Sequence, residues 1–359
     1  MITISLCMIV KNEEEVLARC LDSAAAVADE IVIVDTGSTD KTREIAERYT
    51  DKVYSFAWRD DFAAARNVAF SHAERDFILW LDADDVLREE DADRWLALKA
   101  SLALTTDIVM APYHTAFDGE GKPSFTYYRE RLIRNGKGYR WQGRIHEVIA
   151  PVGTILYTEA AVCHRKLKPG DPDRNLRIFE TALAQGETLD ARQQYYYARE
   201  LYYHGRYAAA EKVLTGFLSR GDGWVENQIG ACQLLAYCDY ALGREEEALR
   251  ALLYSLSYDV PRAELCCDIG RHFLDRCRYP QAVFWYEQAL GCRLDARSGA
   301  FVQPDCYGYI PCLQLCVCYD RMGEQKKAAA YNEMAASYKP QDPAVLHNRA
   351  YFAAGGQPE

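Results

Sequence analysis

Runs of mostly apolar residues recur in the first quarter of the chain, and each one ends in polar residues. The runs ITISLCMIV, EIVIV and FILWL begin at Ile2, Glu30 and Phe77. Apolar runs of this length with polar borders are typical of strands that are buried on both faces of a sheet. Helices are predicted between them, at 13–28 and 41–49. This alternation predicts strand–helix–strand units and therefore a mostly parallel α/β sheet.

Acidic residues directly follow two of these predicted strands. The run FILWL leads into Asp82, Asp84 and Asp85, and EIVIV leads into Asp35. In an open α/β sheet, ligands bind beyond the carboxyl ends of the strands, so these carboxylates are expected to face one crevice. Crowded carboxylates repel one another, and oxygen ligands suit Mg²⁺ or Mn²⁺ shared with substrate phosphates. The alternatives are a solvated acidic turn after FILWL and a helix-capping role for Asp35.

Other segments of the first half place polar groups next to predicted elements. A short strand is predicted at 52–56, and Asp61 and the stretch FAAARNVA follow it. Small residues favour a helix that packs closely on a neighbour or a ligand, where Arg66 is able to brace a diphosphate or Asp61. An ordinary surface arginine is the alternative. Two more strands are predicted at 107–113 and 124–134.

Four segments of the first 87 residues together resemble the inverting glycosyltransferases of family 2, which have the GT-A fold. They are SLCMIVKNEE, IVIVDTGSTDKT, DDFAAARN and ILWLDADD, in the order of that family and at about its spacing. The resemblance implies that Asp35 contacts the nucleobase and that Asp61 and Arg66 line the nucleotide site. Asp82 and Asp84 match the family motif that binds the ribose and the metal–diphosphate group.

The resemblance also implies that a catalytic base follows the acidic motif, and the candidate segment is YRWQGRIHEVI, residues 139–149. An inverting transfer needs a carboxylate or histidine that takes a proton from the attacking group of the acceptor. Glu147 is the predicted base, and His146 is the second candidate or a residue that orients the acceptor. The pattern W-x-G-x-x-H-E resembles a segment of the repeat-bearing members of the family. A purely structural His146–Glu147 pair is the alternative.

A further candidate ligand stands at the end of the predicted strand Val162-Cys163-His164. Many metal-dependent GT-A enzymes add a histidine from this region to the metal ion. The resemblance therefore implies a metal site formed by Asp84 and His164. A lone histidine with a structural role is the alternative.

The second half of the chain repeats itself. Equivalent alanines occur at 210, 248, 282 and 328, and these positions are 38, 34 and 46 residues apart. The tetratricopeptide period is 34 residues, so insertions of four and twelve residues are inferred, the longer one at about 297–308. Each unit has the pattern of a helix, a turn and a second helix. The array resembles tetratricopeptide repeats, which implies an all-α solenoid.

The predicted organisation has four parts. They are a GT-A α/β domain with a mostly parallel sheet at 1–170, a connecting helix or linker at 171–189, about four tetratricopeptide-like repeats at 190–340, and a capping helix with a frayed tail at 341–359. Five tyrosines at 195–197 and 202–203 either pack between the helices or form a surface for a peptide or a second subunit.

Composition narrows the function classes. The net charge of −11 argues against generic nucleic-acid binding. The apolar runs are shorter than the roughly 18 residues that a membrane span needs. The first residues lack the basic region and cleavage site of a signal peptide. The thirteen cysteines include no CxxC pair, so reduced thiols in a cytoplasmic protein are expected.

Together these features predict a metal-dependent inverting glycosyltransferase that uses Mn²⁺ or Mg²⁺ and a nucleotide-diphosphate sugar. UDP-sugars are favoured because they are the commoner donors. The acceptor is a hydroxyl or thiol, predicted on a peptide or protein that the repeats recruit, and the repeats are also candidates for a homodimer contact. Relatives with this layout include peptide glycosyltransferases of the glycocin S-glycosyltransferase type, and others modify lipopolysaccharide cores, so a glycan acceptor stays open.

Two other classes compete with this prediction. The residues Asp82 to Val86 also fit the DxDxV motif of haloacid-dehalogenase phosphatases, in which the first aspartate is a nucleophile. In those phosphatases the motif follows the first strand, whereas here it follows two strand–helix units and no later acidic pair is evident. The third class is a non-catalytic tetratricopeptide scaffold with an inactive transferase domain, which would not bind a sugar nucleotide.

Overall fold

The computed structural model describes residues 1–117, 119, 121–168, 170–295, 297, 299 and 302–355. The chain divides into two compact units, residues 1–188 and 189–359. Each unit has hydrophobic clusters of its own.

The first unit is an α/β domain with one nine-stranded sheet. Its strands are β1 (Ile4–Val10), β2 (Glu30–Asp35), β3 (Val53–Ser55), β4 (Phe77–Trp80), β5 (Asp85–Val86), β6 (Ile108–Phe117), β7 (Pro123–Arg134), β8 (Ile155–Tyr157) and β9 (Val162–His164). Its helices are α1 (Leu17–Ala24), α2 (Thr42–Ala46), α3 (Phe62–Ser71), α4 (Glu89–Ser101) and α5 (Arg174–Ala184).

The sheet is mixed and has the order β3-β2-β1-β4-β7-β6-β9-β5, with β8 also paired to β6. The strands β3, β2, β1 and β4 are parallel, as the strand–helix alternation predicts. Antiparallel pairing joins β4 to β7, β7 to β6 and β5 to β9, whereas β6 is parallel to β8 and β9. Within the described residues, five of the eight pairs are parallel, and the predicted α/β class is confirmed.

The two central strands, β1 and β4, are apolar at every position except Ser5 of β1, because helices cover both faces of the sheet. Successive side chains of a strand point to opposite faces. Leu79 of β4 belongs to a cluster with Leu21 of α1 and Trp95 of α4, whereas Ile78 belongs to a cluster with Phe70 of α3. This double burial explains why β1 and β4 are nearly continuous apolar runs rather than alternating ones.

The helix predicted at 13–28 is shorter in the structure, where α1 begins at Leu17. The amide of Glu13 donates to the hydroxyl of Thr42 at 2.6 Å, and the amide of Glu14 donates to Asp40 at 3.2 Å. Both acceptors lie at the start of α2, of which Thr42 is the first residue. The loop after β1 is thereby fastened to the loop after β2.

The second unit is an array of paired helices. Its helices are α6 (Ala191–Tyr203), α7 (Tyr207–Arg220), α8 (Val225–Ala241), α9 (Glu245–Tyr254), α10 (Ala263–Leu274), α11 (Tyr279–Gly291), α12 (Tyr309–Arg321), α13 (Gln325–Tyr338) and α14 (Pro343–Ala353). The four alanines used to align the repeats lie on the second helix of each pair, and all four are fully buried. The predicted tetratricopeptide-like solenoid is confirmed.

The helical array ends in a capped helix and contains the longer predicted insertion. Asp342 caps α14 by accepting a hydrogen bond from the amide of Ala344. The longer predicted insertion, 297–308, contains a short 3₁₀ helix at Pro304–Tyr307. Residues 298, 300 and 301 of this insertion lie outside the described residues. The same holds for residues 356–359 of the predicted tail. Among the described helices, none combines the length and the apolar composition that crossing a membrane requires.

The tyrosines of α6 were predicted either to pack between helices or to form an interaction surface, and the structure contains both kinds. Tyr195 and Tyr196 are buried, whereas Tyr203 is 64% exposed. The ring of Tyr195 packs at a tilt on Phe217 of α7, with 6.1 Å between ring centroids. The first two tyrosines are therefore packing residues, and Tyr203 is a surface residue.

Candidate active site

The acidic motif after β4 forms a closed turn. The amide of Asp85 donates to the carbonyl oxygen of Asp82 at 3.0 Å. In return, the amide of Asp82 donates to Oδ2 of Asp85 at 3.0 Å. These reciprocal hydrogen bonds fix the direction in which the chain leaves the sheet. The turn therefore holds the motif in one conformation at the carboxyl end of β4.

A short strand pair brings a histidine to this turn. Asp85 of β5 lies directly opposite His164 of β9 in the antiparallel register. The Nδ1 atom of His164 is 3.3 Å from Oδ1 of Asp84 and 3.4 Å from Oδ1 of Asp85. Ligand atoms of these three side chains all lie within 4.8 Å of one another. Two carboxylates and an imidazole at this spacing fit a divalent cation such as Mn²⁺ or Mg²⁺.

The carboxylates also control the charge of the histidine. Burial lowers the pKa of His164, but hydrogen bonds to Asp84 and Asp85 outweigh that effect and raise the pKa to about 10. Opposite charges at this distance favour the charged form of an imidazole. The pair of carboxylates therefore favours a positive charge at this point of the site.

Asp85 is held from several sides by residues that the sequence analysis did not single out. Its side chain and that of Arg131 are both fully buried, and Nη1 of Arg131 is 3.1 Å from Oδ2 of Asp85. The hydroxyl of Tyr113 donates to Oδ1 of Asp85 at 2.9 Å. The guanidinium of Arg131 lies between the rings of Trp80 and Tyr113, 3.8 and 4.1 Å from their centroids. Asp85 therefore orients the turn and the histidine through contacts on both of its oxygens.

Arg66 of α3 joins the acidic motif to the predicted base. Its Nη2 atom is 2.7 Å from Oδ1 of Asp82, and its Nε atom is 2.7 Å from Oε1 of Glu147. The guanidinium is buried against the rings of Trp80 and Trp141, 4.9 and 5.0 Å from their centroids. Burial raises the pKa of Asp82, but the charge of Arg66, with a smaller contribution from Arg131, lowers it to about 2. The structure thus brings Asp82, Arg66 and Glu147 together.

The loop that carries Glu147 is closed at its base. Gln142 and Val148 exchange two backbone hydrogen bonds of 2.9 and 3.1 Å. Gly143 has a φ of 91° and His146 a φ of 50°, and both belong to the left-handed region. That conformation is unusual for a residue with a side chain, and it places His146 within the same turn as Glu147.

The helix α3 supports this loop as well as Arg66. The side chain of Asn67 donates to the carbonyl oxygen of Trp141 at 3.0 Å and accepts from its amide at 2.9 Å. The first amide of α3, at Phe62, donates to the carbonyl oxygen of Arg144 at 2.7 Å. One helix therefore positions both partners of the Arg66–Glu147 contact.

The two remaining predicted residues are tied to local backbone. Asp35, 5% exposed at the end of β2, accepts hydrogen bonds on Oδ1 from the amides of Gly37 and Ser38, at 3.0 and 2.8 Å. Asp61 caps α3 by accepting from the amide of Ala64 at 2.8 Å. Asp35 thus holds its own turn rather than capping a helix. The ion pairs of Arg66 described above are with Asp82 and Glu147, not with Asp61.

Glu13 is a further acidic group of this region that the sequence analysis passed over. It lies half-buried in the loop after β1. Burial, followed by the charges of Asp84 and Asp82, raises the pKa of Glu13 to about 7. The signal for it in the sequence was its place in SLCMIVKNEE, three residues after a buried strand.

The matching family model covers most of the first unit. Residues 5–154 match the model described as Glycosyl transferase family 2, and this range contains the acidic motif, Arg66 and Glu147. The first unit carries a Glycosyl transferase family 2 domain. His164 lies ten residues beyond the end of the match.

Curated relatives of the family 2 domain are similar to this chain over part of their length. A TPR repeat-containing protein of Synechococcus elongatus is 40% identical over 42% of this chain and 36% of its own length. The SPbeta prophage-derived glycosyltransferase SunS of Bacillus subtilis is 29% identical over 40% of this chain and 34% of its own length. The lipopolysaccharide core biosynthesis glycosyltransferase LpsC of Rhizobium meliloti is 33% identical over 40% of this chain and 56% of its own length.

Solved structures resemble parts of the chain only loosely. MamA is 19% identical over 47% of this chain and 88% of its own, with a TM-score of 0.36. The glucosyl-3-phosphoglycerate synthase of Mycobacterium tuberculosis is 21% identical over 31% of this chain and 44% of its own, with a TM-score of 0.27. TM-scores this low give no further support for the fold or for the family 2 domain.

Proposed function

We propose that this protein is a metal-dependent inverting glycosyltransferase. It moves a sugar from a nucleotide-diphosphate donor, with UDP-sugars favoured, to a hydroxyl or thiol acceptor. The observation that carries the proposal is the convergence at the carboxyl end of β4. The acidic motif there meets His164 on one side and, through Arg66, Glu147 on the other.

The donor lies against the strand ends in this proposal. Asp35 accepts a hydrogen bond from the nucleobase, Asp61 lines the nucleotide site, and Asp82 accepts one from the ribose. Asp84 and His164 would hold Mn²⁺ or Mg²⁺, and the 3.3 Å between Nδ1 of His164 and Oδ1 of Asp84 supports this role. The chemistry that such an ion supplies is neutralisation of the charge that grows on the leaving diphosphate.

The acceptor is activated by Glu147, with His146 beside it to orient the attacking group. One oxygen of Glu147 contacts Arg66, and the other accepts the proton of the hydroxyl or thiol. The acceptor oxygen or sulfur forms a bond to the anomeric carbon while the bond to the diphosphate oxygen breaks on the opposite face. A single displacement of this kind inverts the anomeric centre.

The acceptor class is proposed from the architecture of the second unit. Tetratricopeptide-like arrays offer extended surfaces for protein ligands, so we favour a peptide or protein acceptor recruited in the cytoplasm. The same array is a candidate surface for a homodimer. The name of the relative LpsC keeps a glycan acceptor as the alternative.

The test is calorimetric binding of UDP, GDP and dTDP with and without Mn²⁺. We expect one nucleotide to bind in a metal-dependent manner and the Asp84→Ala variant to lose that binding. The matched control is Asp51→Ala, which removes an exposed aspartate of the same unit. The nucleotide that binds identifies the donor series for acceptor screens with peptides and with lipopolysaccharide core glycans.

Two results of this binding experiment would contradict the proposal. If the wild type binds no nucleotide, the transferase proposal fails, and the non-catalytic scaffold becomes the better explanation of the chain. If Asp84→Ala binds as tightly as the wild type, the donor site is not at the end of β4.

A further inference from the structure

We propose that Tyr113 is a positioning residue for His164, which it holds by one ring nitrogen so that the other is offered to a metal ion. This inference rests on the proposed function, because it concerns the ion that Asp84 and His164 would bind. Tyr113 and His164 are 51 positions apart in the sequence, and the apolar pattern of the strand predicted at 107–113 gives no sign of their contact.

The hydroxyl of Tyr113 lies between the histidine and a carboxylate. It is 3.0 Å from Nδ1 of His164 and 2.9 Å from Oδ1 of Asp85. A phenol has a single proton to donate, and an ionised carboxylate can only accept. Because Tyr113 donates to Asp85, its oxygen accepts at His164, and Nδ1 of the imidazole carries a hydrogen. In the neutral imidazole the lone pair then lies on Nε2, which is the nitrogen that can bind an ion.

Buried neighbours keep the phenol in this arrangement. Tyr113 is 6% exposed, and its ring packs edge to face on that of Tyr127, with 5.6 Å between the centroids. Arg131 pairs with Asp85 at 3.1 Å and lies 4.1 Å from the centroid of the Tyr113 ring. Buried charges need such partners, so the guanidinium supports the carboxylate that receives the proton of Tyr113.

The backbone places the same residues side by side. Tyr113 of β6 pairs with Val162 of β9 in parallel register, and Asp85 of β5 lies opposite His164 of β9. The three side chains therefore project from neighbouring strands of one sheet. Their contacts depend on the sheet register and not on a mobile loop.

A partner on the second ring nitrogen is a general requirement of histidine ligands. It fixes the tautomer and the orientation of the ring, and its loss typically costs about 10–100-fold in metal affinity. Tyr113 has this place beside His164, and Asp85 and Arg131 hold Tyr113 in turn.

The test is the binding of Mn²⁺ alone, measured by electron paramagnetic resonance of the free ion. Tyr113→Phe removes the hydroxyl and keeps the ring. We expect this variant to bind Mn²⁺ about 10–100-fold more weakly than the wild type, because the imidazole is no longer oriented. The matched control is Tyr49→Phe, which removes another hydroxyl that donates to an aspartate, Asp22, at 2.8 Å. This control should bind Mn²⁺ as the wild type does.

A double-mutant cycle separates positioning from a general structural role. If Tyr113 acts through the histidine, Tyr113→Phe should weaken Mn²⁺ binding no further in a protein that already carries His164→Ala. Residues that act through one contact are not additive, whereas independent ones are. An additive loss would show that Tyr113 supports the fold or another ligand, and it would overturn the inference. Equal affinities of Tyr113→Phe and the wild type would overturn it as well.

Pulsed electron paramagnetic resonance identifies the nitrogen that binds. The wild type is labelled with ¹⁵N at Nε2 of its histidines and loaded with Mn²⁺. We expect the strong coupling of a directly bound nitrogen from this label, and we expect it to be absent in His164→Ala. Strong coupling from a label at Nδ1 contradicts the inference. This measurement uses the wild type, so it decides the question even if Tyr113→Phe does not fold, as judged by circular dichroism.

The inference and the proposed function can fail separately. Mn²⁺ binding is measured without a nucleotide, so a wild type that binds Mn²⁺ but no nucleotide contradicts the transferase function and leaves the role of Tyr113 testable. A wild type that binds nucleotide with Mn²⁺, together with an unaffected Tyr113→Phe, contradicts only the inference. A wild type that binds no Mn²⁺ contradicts both the proposed metal site and the inference.

Discussion

Individual residues of the first unit show backbone strain where the chemistry is proposed. The described residues include four non-glycine residues with positive φ: Asn12, Asp60, His146 and Cys277. Asn12 follows β1, Asp60 precedes the cap of α3, and His146 precedes Glu147. Strained residues persist only where their surroundings hold them, and they concentrate at functional sites. Three of the four lie in loops that adjoin the candidate active site.

Replacing the proposed base by an isosteric amide separates proton transfer from donor binding. In Glu147→Gln we expect the transfer rate to fall by about 10²–10⁴-fold, because general base catalysis contributes that much. Nucleotide affinity with Mn²⁺ should stay within about threefold. Rates are measured with the donor and acceptor that the screens identify. The control is Glu187→Gln, the partner of Arg144 in an exposed pair, and an undiminished rate in Glu147→Gln would identify another base.

A second residue-scale prediction concerns stability and pH at Glu30. Burial raises the pKa of Glu30, but the amide of Glu74 and the side chains of Lys52 and Ser5 together lower it. A carboxyl whose folded pKa lies below its unfolded value, about 4.3, stabilises the fold above that value. The stabilisation is lost as the pH falls through the folded pKa.

We therefore expect Glu30→Gln to reduce the free energy of unfolding by about 1.5–3 kcal/mol at pH 7, the range for hydrogen bonds to charged groups. The difference from the wild type should shrink below about pH 4. Urea unfolding followed by tryptophan fluorescence measures both values. The control is Glu44→Gln, at an exposed position of α2, and a difference that is independent of pH would contradict the assignment.

At the scale of elements, small residues set how closely the paired helices approach. Ala282 of α11 is fully buried in a cluster with Cys266 of α10 and Tyr286. A Cβ atom added to Gly270 of α10 would lie 2.9 Å from the ring of Tyr286. Interiors of this kind are close-packed, so the two helices leave no room for larger side chains at these positions.

The corresponding prediction is that Ala282→Leu destabilises the second unit. Overpacking a core typically costs about 1–3 kcal/mol, and urea unfolding of the whole chain should show that loss. Gln288→Leu adds the same side chain at an exposed position of the same helix and serves as the control. Equal stability of the two variants would mean that α10 and α11 separate more easily than their packing indicates.

At the scale of the whole molecule, two units with separate cores divide the proposed function. The acidic motif, Arg66, Glu147 and His164 all belong to residues 1–188, whereas the helical array belongs to 189–359. Donor binding is therefore proposed for the first unit and acceptor recruitment for the second.

Separating the units tests this division. We expect residues 1–188, produced alone, to bind the nucleotide and Mn²⁺ within about threefold of the whole chain, because every proposed donor contact is retained. Transfer to a peptide acceptor should be lost. The array alone should bind the acceptor but no nucleotide. The control is circular dichroism of each part, and efficient transfer to the peptide by folded residues 1–188 would remove the recruiting role of the repeats.

Patterns of short range were enough to predict most strands of the first unit and the helical repeats of the second, but not α4, β5 or β8. The buried strands, the acidic motif at the end of β4 and the alanine spacing of the repeats each depend on neighbouring residues or a fixed period, which a sequence displays directly. The start of α1 was less well predicted. The helix begins at Leu17, and the amides of Glu13 and Glu14 bond to side chains at the start of α2, a contact that the local pattern does not show.

The sequence by itself therefore determined the fold class and the positions of the candidate chemical groups. Only the tertiary structure decided which of them meet. The order of the sheet and the register of β5 on β9 bring His164 to Asp84, and the packing of α3 brings Arg66 to Glu147. Arg131, buried against Asp85, has no signal in the local pattern. Such contacts join residues far apart in the chain, and their geometry depends on strand order and helix packing, which no local periodicity encodes.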